Sequence, residues 1–362
     1  MILDFSENIN IKSLFPKNEF EEKVISFLQE WFSSSETVSV QTSGSTGTPK
    51  IFQIEKSKML NSAKMTCDFL GLKEGDIALL CLPVQYISGK MMLVRAIERK
   101  LKIIIVAPSL EPLLFLKNKA DNVCFCAMTP LQVQNSLDNI HLIKNLIIGG
   151  AAVSENLKSQ LTSSIQHSAS NKIYETYGMS ETLSHIALKQ IAPVQEEYFT
   201  VFENVEISVD ERNCLKISAP KLNTEVLQTN DIVEIKHFMN SVRKPSVYAQ
   251  CDNKQFKFLG RFDNVINSGG VKIFAEELEN LVKKHISQDL VFIGKPDEIL
   301  GEKLVLVIED ASTPLSMTEI KFQISNIKFK IKFHIPKEIL FLEKFPRAEN
   351  GKVLRKEILK II

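Results

Sequence analysis

The chain has 362 residues, 44% hydrophobic and 24% charged, with a net charge of +1. That is an ordinary globular composition, long enough for a sizeable core and more than one domain. The near-neutral balance gives no electrostatic reason to expect nucleic acid or an anionic membrane as a partner. The longest apolar run, near Lys102 to Ala107, is far too short to span a bilayer, and the start lacks the basic-then-apolar order of a signal peptide. Six scattered cysteines fit a reducing compartment, so a cytoplasmic location is expected. Cys124 and Cys126 read as core residues sharing a strand face.

Asn18 is placed to cap a helix carrying Phe20, Val24, Phe27, Leu28 and Trp31, spaced three and four apart. The alternating run Thr37-Val38-Ser39-Val40 predicts a strand. Behind it stands Gln-Thr-Ser-Gly-Ser-Thr-Gly-Thr-Pro-Lys, residues 41–50. Its hydroxyls, backbone amides and ammonium suit phosphate oxygens, although the spacing is not that of a Walker loop and a Ser/Thr/Gly run alone is more often a solvated linker. A helix from Ser57 to Leu70, ended by Gly71, follows. From Asp76 to Tyr174, apolar runs at Ile77–Leu82, Ile103–Val106, Val123–Ala127, Leu146–Ile148 and Ile173–Tyr174 alternate with helical segments. This is the rhythm of βαβ units in a mostly parallel sheet, whose ligands sit beyond the carboxyl ends of the strands. The stretches 82–90, 149–152 and 175–181 lie at such ends.

From about Tyr198 to Gly260 the rhythm becomes one of short alternating runs and turns, which predicts an antiparallel, barrel-like subdomain. The last hundred residues read as a compact α+β unit: a helix near Ala275–His285, strands near Leu290–Ile293 and Lys303–Ile308, a helix near Met317–Phe329, a strand at Glu338–Leu342 and a final helix at Val353–Ile361. The expected architecture is α/β: an N-terminal domain over residues 1–262, with the antiparallel subdomain at about 190–262, and a C-terminal domain over 263–362.

Five stretches occur in register: 41–50, Tyr177-Gly178-Met179-Ser180-Glu181, Thr229-Asn230-Asp231, Gly260-Arg261-Phe262-Asp263 running on to Gly269-Gly270, and Pro346 to Arg355 with Gly351-Lys352. Together they resemble the acyl-adenylate-forming superfamily, from about Thr42 to Arg355. The resemblance implies an acid–thiol ligase reaction. A carboxylate attacks the α-phosphate of ATP, pyrophosphate leaves, and the thiol of CoA then displaces AMP, while a small C-terminal domain swings between two orientations. It implies that Thr42, Ser43, Gly44, Ser45, Thr46, Gly47 and Lys50 hold the β- and γ-phosphates. Gly149, Gly150, Ala151, Glu175, Thr176, Tyr177 and Gly178 would surround the adenine, with Tyr177 stacking on it. Ser180 would touch the α-phosphate and Glu181 would hold Mg²⁺. Asp231 and Arg261 would take the ribose. Lys352 would bridge the carboxylate and the α-phosphate as charge builds there. Asp263 would be the hinge, and Gly269 and Gly270 would line a thiol tunnel.

The departures bear on the acid. The phosphate loop begins only 42 residues in, where typical members carry a long extra segment before it. Tyr86 stands where a histidine is usual, and Asn230 stands where a glycine is. The stretches bordering the acyl pocket offer Tyr86, Lys90, Arg95 and His185. Buried cations are costly unless paired, so a second carboxylate on the substrate would explain Lys90 and Arg95; the alternative is that both face solvent on the following helix. The shortened pattern resembles the family members that act on o-succinylbenzoate in menaquinone biosynthesis. Other acids, a carrier-protein thiol in place of CoA, and a non-catalytic nucleotide sensor remain as alternatives. Self-association as a homo-oligomer is left open.

Overall fold

The computed structural model describes residues 1–41, 51–118, 123–166, 170–236, 254–309, 314–347 and 353–362. The expected phosphate loop from Thr42 to Lys50, and Lys352 with the four residues before it, lie outside the described residues. Short β1 (Ile2–Asp4) is followed by helix α1 (Glu19–Trp31), which begins as its cap dictates: the Asn18 side chain accepts from the Glu21 amide at 2.9 Å. Strands β2 (Thr37–Gln41) and β3 (Ile51–Glu55) form a separate antiparallel ribbon. Helix α2 (Lys56–Leu70) ends at Gly71, whose φ of 64° is the left-handed stop that glycine takes without strain.

The parallel half then builds strand by helix: β4 (Ile77–Leu80), α3 (Ile87–Arg99), β5 (Lys102–Ile105), β6 (Val123–Met128), α4 (Pro130–Gln134), β7 (Ile143–Ile148), α5 (Glu155–Ser164) and β8 (Lys172–Gly178). The antiparallel half follows as β9 (His185–Ala192), β10 (Phe199–Val201), β11 (Glu206–Val209), β12 (Cys214–Ser218), β13 (Leu227–Lys236) and β14 (Gln255–Arg261). All but the β2–β3 ribbon join one twelve-stranded sheet in the order β1-β5-β4-β6-β7-β8-β9-β10-β14-β13-β12-β11. Strands β5 to β8 pair in parallel, and the direction reverses at β8–β9.

Alternation along the parallel strands builds a core on each face. In β4 and just after it, Ala78 and Leu80 pack into a cluster with Phe27, Met91 and Leu93, whereas Leu79 and Cys81 pack with Leu157 and Leu161. Helices α1 to α3 thus cover one face and α5 the other.

A second sheet holds β15 (Val265–Ser268), β16 (Val271–Phe274), β17 (Leu290–Asp297), β18 (Gly301–Glu309) and β19 (Glu338–Leu342), with helices α6 (Ala275–Val282), α7 (Pro314–Ser325) and α8 (Arg355–Ile361). Gly269 and Gly270 join β15 to β16 in a two-residue turn, with φ of 58° and 79°. Positive φ at both positions is what such a hairpin demands, and glycine supplies it without strain. Helix α8 is anchored by Arg355, whose guanidinium meets the buried Glu279 carboxylate at 2.7 Å. Phe262-Asp263-Asn264 connects the large sheet to the small one.

Candidate active site

The sheet order places β5 on one side of β4 and β6 on the other. Such a reversal opens a crevice beyond the carboxyl ends of the strands. A cleft of about 360 Å³ lies there, within the range of small-molecule sites. Leu82 comes from beyond β4, Met128 and Thr129 from the end of β6, Gly149 and Gly150 from beyond β7, and Thr176 and Gly178 from β8. The ribbon closes it with Val40, Gln41, Phe52 and Ile54. Gln41 pairs with Ile51 across the ribbon and bridges to Tyr86, so the residue before the expected phosphate loop stands on the cleft wall and the residue after it pairs alongside. A second cleft, about 340 Å³, is rimmed by Lys64, Asp68, Glu203 and Lys221 and shares no lining residue with the first.

Strand alternation divides the predicted nucleotide stretch. Thr176 and Gly178 line the cleft; Glu175 and Tyr177 do not. Glu175 is buried, accepts from the Val153 amide at 3.0 Å and pairs with Lys189 at 3.0 Å, an engaged structural carboxylate. Tyr177 lays its ring edge-on to Phe256, centroids 4.9 Å apart, and donates its hydroxyl to Asp231 Oδ2 at 2.6 Å. Burial, with the Asp231 carboxylate beside it, pushes the Tyr177 phenol far above its ordinary range. Asp231 faces Arg261 across β13 and β14. Arg261 Nε is buried 3.4 Å from Asp231 Oδ1 but makes no hydrogen bond there. Asn230 donates to Asp263 at 3.2 Å. Tyr177, Asp231, Arg261 and Asp263 therefore gather at the junction of the two sheets.

After β8 the chain makes a tight turn over Ser180–Thr182 and passes through Leu183, whose φ of 63° is unusual for a branched residue. Buried Thr182 pins the turn, accepting from the Met179 amide at 3.0 Å and donating to the Ser184 carbonyl at 2.7 Å. Gly178 must be glycine here, since a Cβ would lie 2.5 Å from the His185 Cα. Ser180 and Glu181 are exposed on this turn, as is Ala151 beyond β7. Ser180 lines the cleft. Thr182 escaped the sequence reading, because a threonine in a polar loop gives no signal of its burial.

The acid-pocket candidates separate. Tyr86, Arg95 and His185 line the cleft; Lys90 does not. Lys90 is 8% exposed, and its ammonium sits 4.7 Å over the Phe27 ring of α1. Burial lowers its pKa and the Glu30 carboxylate opposes that fall. Arg95 is 2% exposed. It donates from one terminal nitrogen to Ser184 Oγ at 2.9 Å and rests the other 3.9 Å from the Met92 sulfur, while its Nε finds no partner. No carboxylate among the described residues pairs with it. Burial pushes the guanidinium down to about 10, and it stays charged at neutral pH. Neither cation faces solvent. His185 is held well below its ordinary range by burial first and by the Arg95 charge second, so the imidazole is neutral.

A sequence profile of the family described as "AMP-binding enzyme" matches residues 16–218. The 2-succinylbenzoate–CoA ligase of Lactococcus lactis is 22% identical over 99% of this chain and 82% of its own length. That of Listeria monocytogenes is 23% identical over 97% and 79%. Among solved structures, an AMP-forming acyl-CoA synthetase/AMP-acid ligase II-like protein from Dyadobacter fermentans is 32% identical, with TM-score 0.64 over 100% of this chain and 99% of that one. The O-succinylbenzoate coenzyme A synthetase of Bacillus subtilis, in complex with ATP and magnesium ion, is 19% identical with TM-score 0.69 over 89% and 69%; at that identity the likeness speaks for the fold.

Proposed function

Because the chain belongs to the AMP-binding enzyme family, we propose that it is an AMP-forming acid–CoA ligase, using ATP, Mg²⁺ and CoA, whose acid is o-succinylbenzoate. The observation that carries the choice of acid is Arg95: a buried cation, on the cleft wall, with no carboxylate partner among the described residues. Burying an unpaired charge is costly, so the site gains most from a ligand that brings the missing anion. o-Succinylbenzoate carries one carboxylate to be activated and a second, on the ring, to meet Arg95.

The junction cluster suits the nucleotide. Arg261 Nε is a buried donor without an acceptor, and Asp231 is a carboxylate beside it, a pair matched to ribose hydroxyls. Exposed Glu181 would hold Mg²⁺, which when bound would neutralise phosphate charge. The succinyl carboxylate would attack the α-phosphorus beside Ser180, the bond to pyrophosphate breaking as the new one forms. Lys352 is the proposed cation for that step, and Thr42 to Lys50 are the proposed holders of the leaving group. The CoA thiolate would then attack the acyl carbon and release AMP. We assign residues 1–262 and 263–362 to two domains and place the hinge at Asp263, because the large sheet ends at Arg261 and the small one begins at Val265. The Gly269–Gly270 hairpin would line the path of the thiol.

The test is pyrophosphate release with ATP, Mg²⁺ and o-succinylbenzoate, followed by mass detection of the CoA thioester. Turnover with other acids but not this one would keep the chemistry and discard the substrate. Loading of a carrier protein but not of free CoA would replace the thiol acceptor.

A further inference from the structure

Arg95 does not hold its own position. Its guanidinium has five donors, and among the described residues its one hydrogen-bonded oxygen is Ser184 Oγ. Ser184 Oγ also lies 3.2 Å from His185 Nδ1, His185 Nε2 lies 3.1 Å from Thr66 Oγ1, and Thr66 Oγ1 lies 3.2 Å from the Ser62 carbonyl oxygen. The far end fixes the direction of every bond. A carbonyl can only accept, so the single Thr66 hydrogen goes to Ser62. Nε2 must therefore donate to Thr66, and the neutral imidazole leaves Nδ1 bare. The Ser184 hydrogen then goes to Nδ1, which turns a serine lone pair toward Arg95. Arginine can only donate, and the chain closes without conflict.

We propose that Thr66, His185 and Ser184 form a one-way hydrogen-bond chain that aims Arg95 at the second carboxylate of the acid, which makes Thr66 and Ser184 positioning residues for substrate choice. The inference rests on the functional reading above and adds residues that the sequence did not single out. The chain ties α2 and the start of β9 to α3. Thr66 is fully buried and does not line the cleft, so it acts on the substrate only through this relay.

A second proton on His185 would reverse the Ser184 bond and place a positive charge beside Arg95. The groups packed on the ring do not compensate. Arg95 faces it from α3, Thr66 from α2, and the Phe202 ring meets it edge-on at 5.4 Å. Cys67 near Arg95 is a thiol pushed up to about 12 and is neutral.

The decisive pair is Thr66→Val, which removes the hydroxyl while keeping the shape, and Thr66→Ser, which restores it. kcat and KM are measured with o-succinylbenzoate and with 3-benzoylpropionate, which lacks the ring carboxylate. Thr66→Val is expected to raise KM for the diacid about tenfold, the worth of one well-placed hydrogen bond. It should leave kcat and the monoacid unchanged, and Thr66→Ser should recover the wild-type ratio. Equal losses on both acids, or no loss in a folded protein, overturn the proposal. An independent readout needs no substrate: ¹⁵N imidazole shifts, with His185 assigned by its loss in His185→Gln. A neutral ring protonated at Nε2 from about pH 5 to 8 is expected; an ordinary titration, or a proton on Nδ1, overturns the chain. A wild-type protein that uses neither acid overturns the functional reading, and one that uses both equally well overturns the aim assigned to Arg95.

Discussion

Replacing Arg95 by methionine should move stability and activity in opposite directions. The side chain is 2% exposed, its Nε has no partner, and one terminal nitrogen meets only a sulfur at 3.9 Å. Replacing even a buried ion pair by apolar residues of similar volume is often neutral or stabilises by about 1–4 kcal/mol, and Arg95 has no carboxylate partner among the described residues to offset its burial. Against that, Ser184 loses a donor, roughly 1 kcal/mol. The free enzyme should therefore melt at the same temperature or a few degrees higher, at roughly 2–4 °C per kcal/mol. For the acid the sign reverses. A cation and a carboxylate about 4 Å apart, at an effective dielectric near 20, attract by about 4 kcal/mol. Losing some 3–4 kcal/mol lowers kcat/KM for o-succinylbenzoate by about 10²–10³, at about 1.4 kcal/mol per factor of ten. Activity on 3-benzoylpropionate should hold. Pyrophosphate release with both acids and a thermal melt of the free protein read all of these quantities. Unchanged KM for the diacid, or a lowered melting temperature with both acids failing together, would refute the reasoning, because Arg95 would then be a packing residue.

Lys90→Met should leave KM for the diacid within about twofold, because the ammonium sits over Phe27 and not in the cleft; a rise comparable to that of Arg95→Met would put Lys90 back among the ligands. Tyr177→Phe removes the 2.6 Å bond to Asp231 and should raise KM for ATP roughly 10- to 100-fold, at about 1.5–3 kcal/mol for a hydrogen bond to a charged group, with the ratio between the two acids unchanged. Glu279→Ala leaves Arg355 without its buried carboxylate, and denaturant unfolding should register a loss of about 3–5 kcal/mol. His185 is buried and its folded pKa is depressed, so the unfolded chain takes up a proton first as pH falls. Its contribution to stability is complete above an unfolded pKa of about 6.5 and declines by about 1.4 kcal/mol per pH unit below it, until the folded pKa is reached; His185→Gln should flatten that limb of the stability–pH curve.

Much of the fold was legible because its signals are local. The three-and-four spacing and Asn18 predict α1, Gly71 ends α2, and apolar runs mark β4 to β8. Strands β9 and β15 were harder to see. β9 carries His185, Lys189 and Gln190 among its apolar residues: His185 lines the cleft and Lys189 pairs with Glu175, so the apolar alternation is broken. β15 reads as Val-Ile-Asn-Ser before two glycines, which looks like loop until its pairing with β16 is known. Within the site, Arg95 and His185 line the cleft. Lys90 does not, and helix geometry explains it: five residues at about 100° each separate the two cations by about 140°. Two side chains on nearly opposite faces of α3 do not line the same wall. Thr66 and Thr182 were invisible, since a hydroxyl in a sequence reveals neither its burial nor its partner.

Strand β8 ties these pieces into one site. Its alternation sends Thr176 and Gly178 to the cleft and Tyr177 to the Asp231–Arg261 pair. The two groups of contacts are therefore separated by one residue of backbone and meet where β8 ends. The chain then turns through Ser180–Thr182 and re-enters the sheet as β9, bringing Ser184 and His185 under Arg95. A single turn, pinned by Thr182 and admitted by Gly178, thus fixes both the wall proposed to read the acid and the exposed Ser180 and Glu181 proposed to meet the α-phosphate and Mg²⁺. On the proposed reading, a shift at that turn would move the acid carboxylate and the α-phosphate relative to each other, and in-line attack depends on that geometry. On the proposed reading, acid choice and adenylation should accordingly be coupled through residues 178–185, while Thr66, reached only from α2 behind, adjusts the acid wall through His185 and Ser184 without touching the phosphate side.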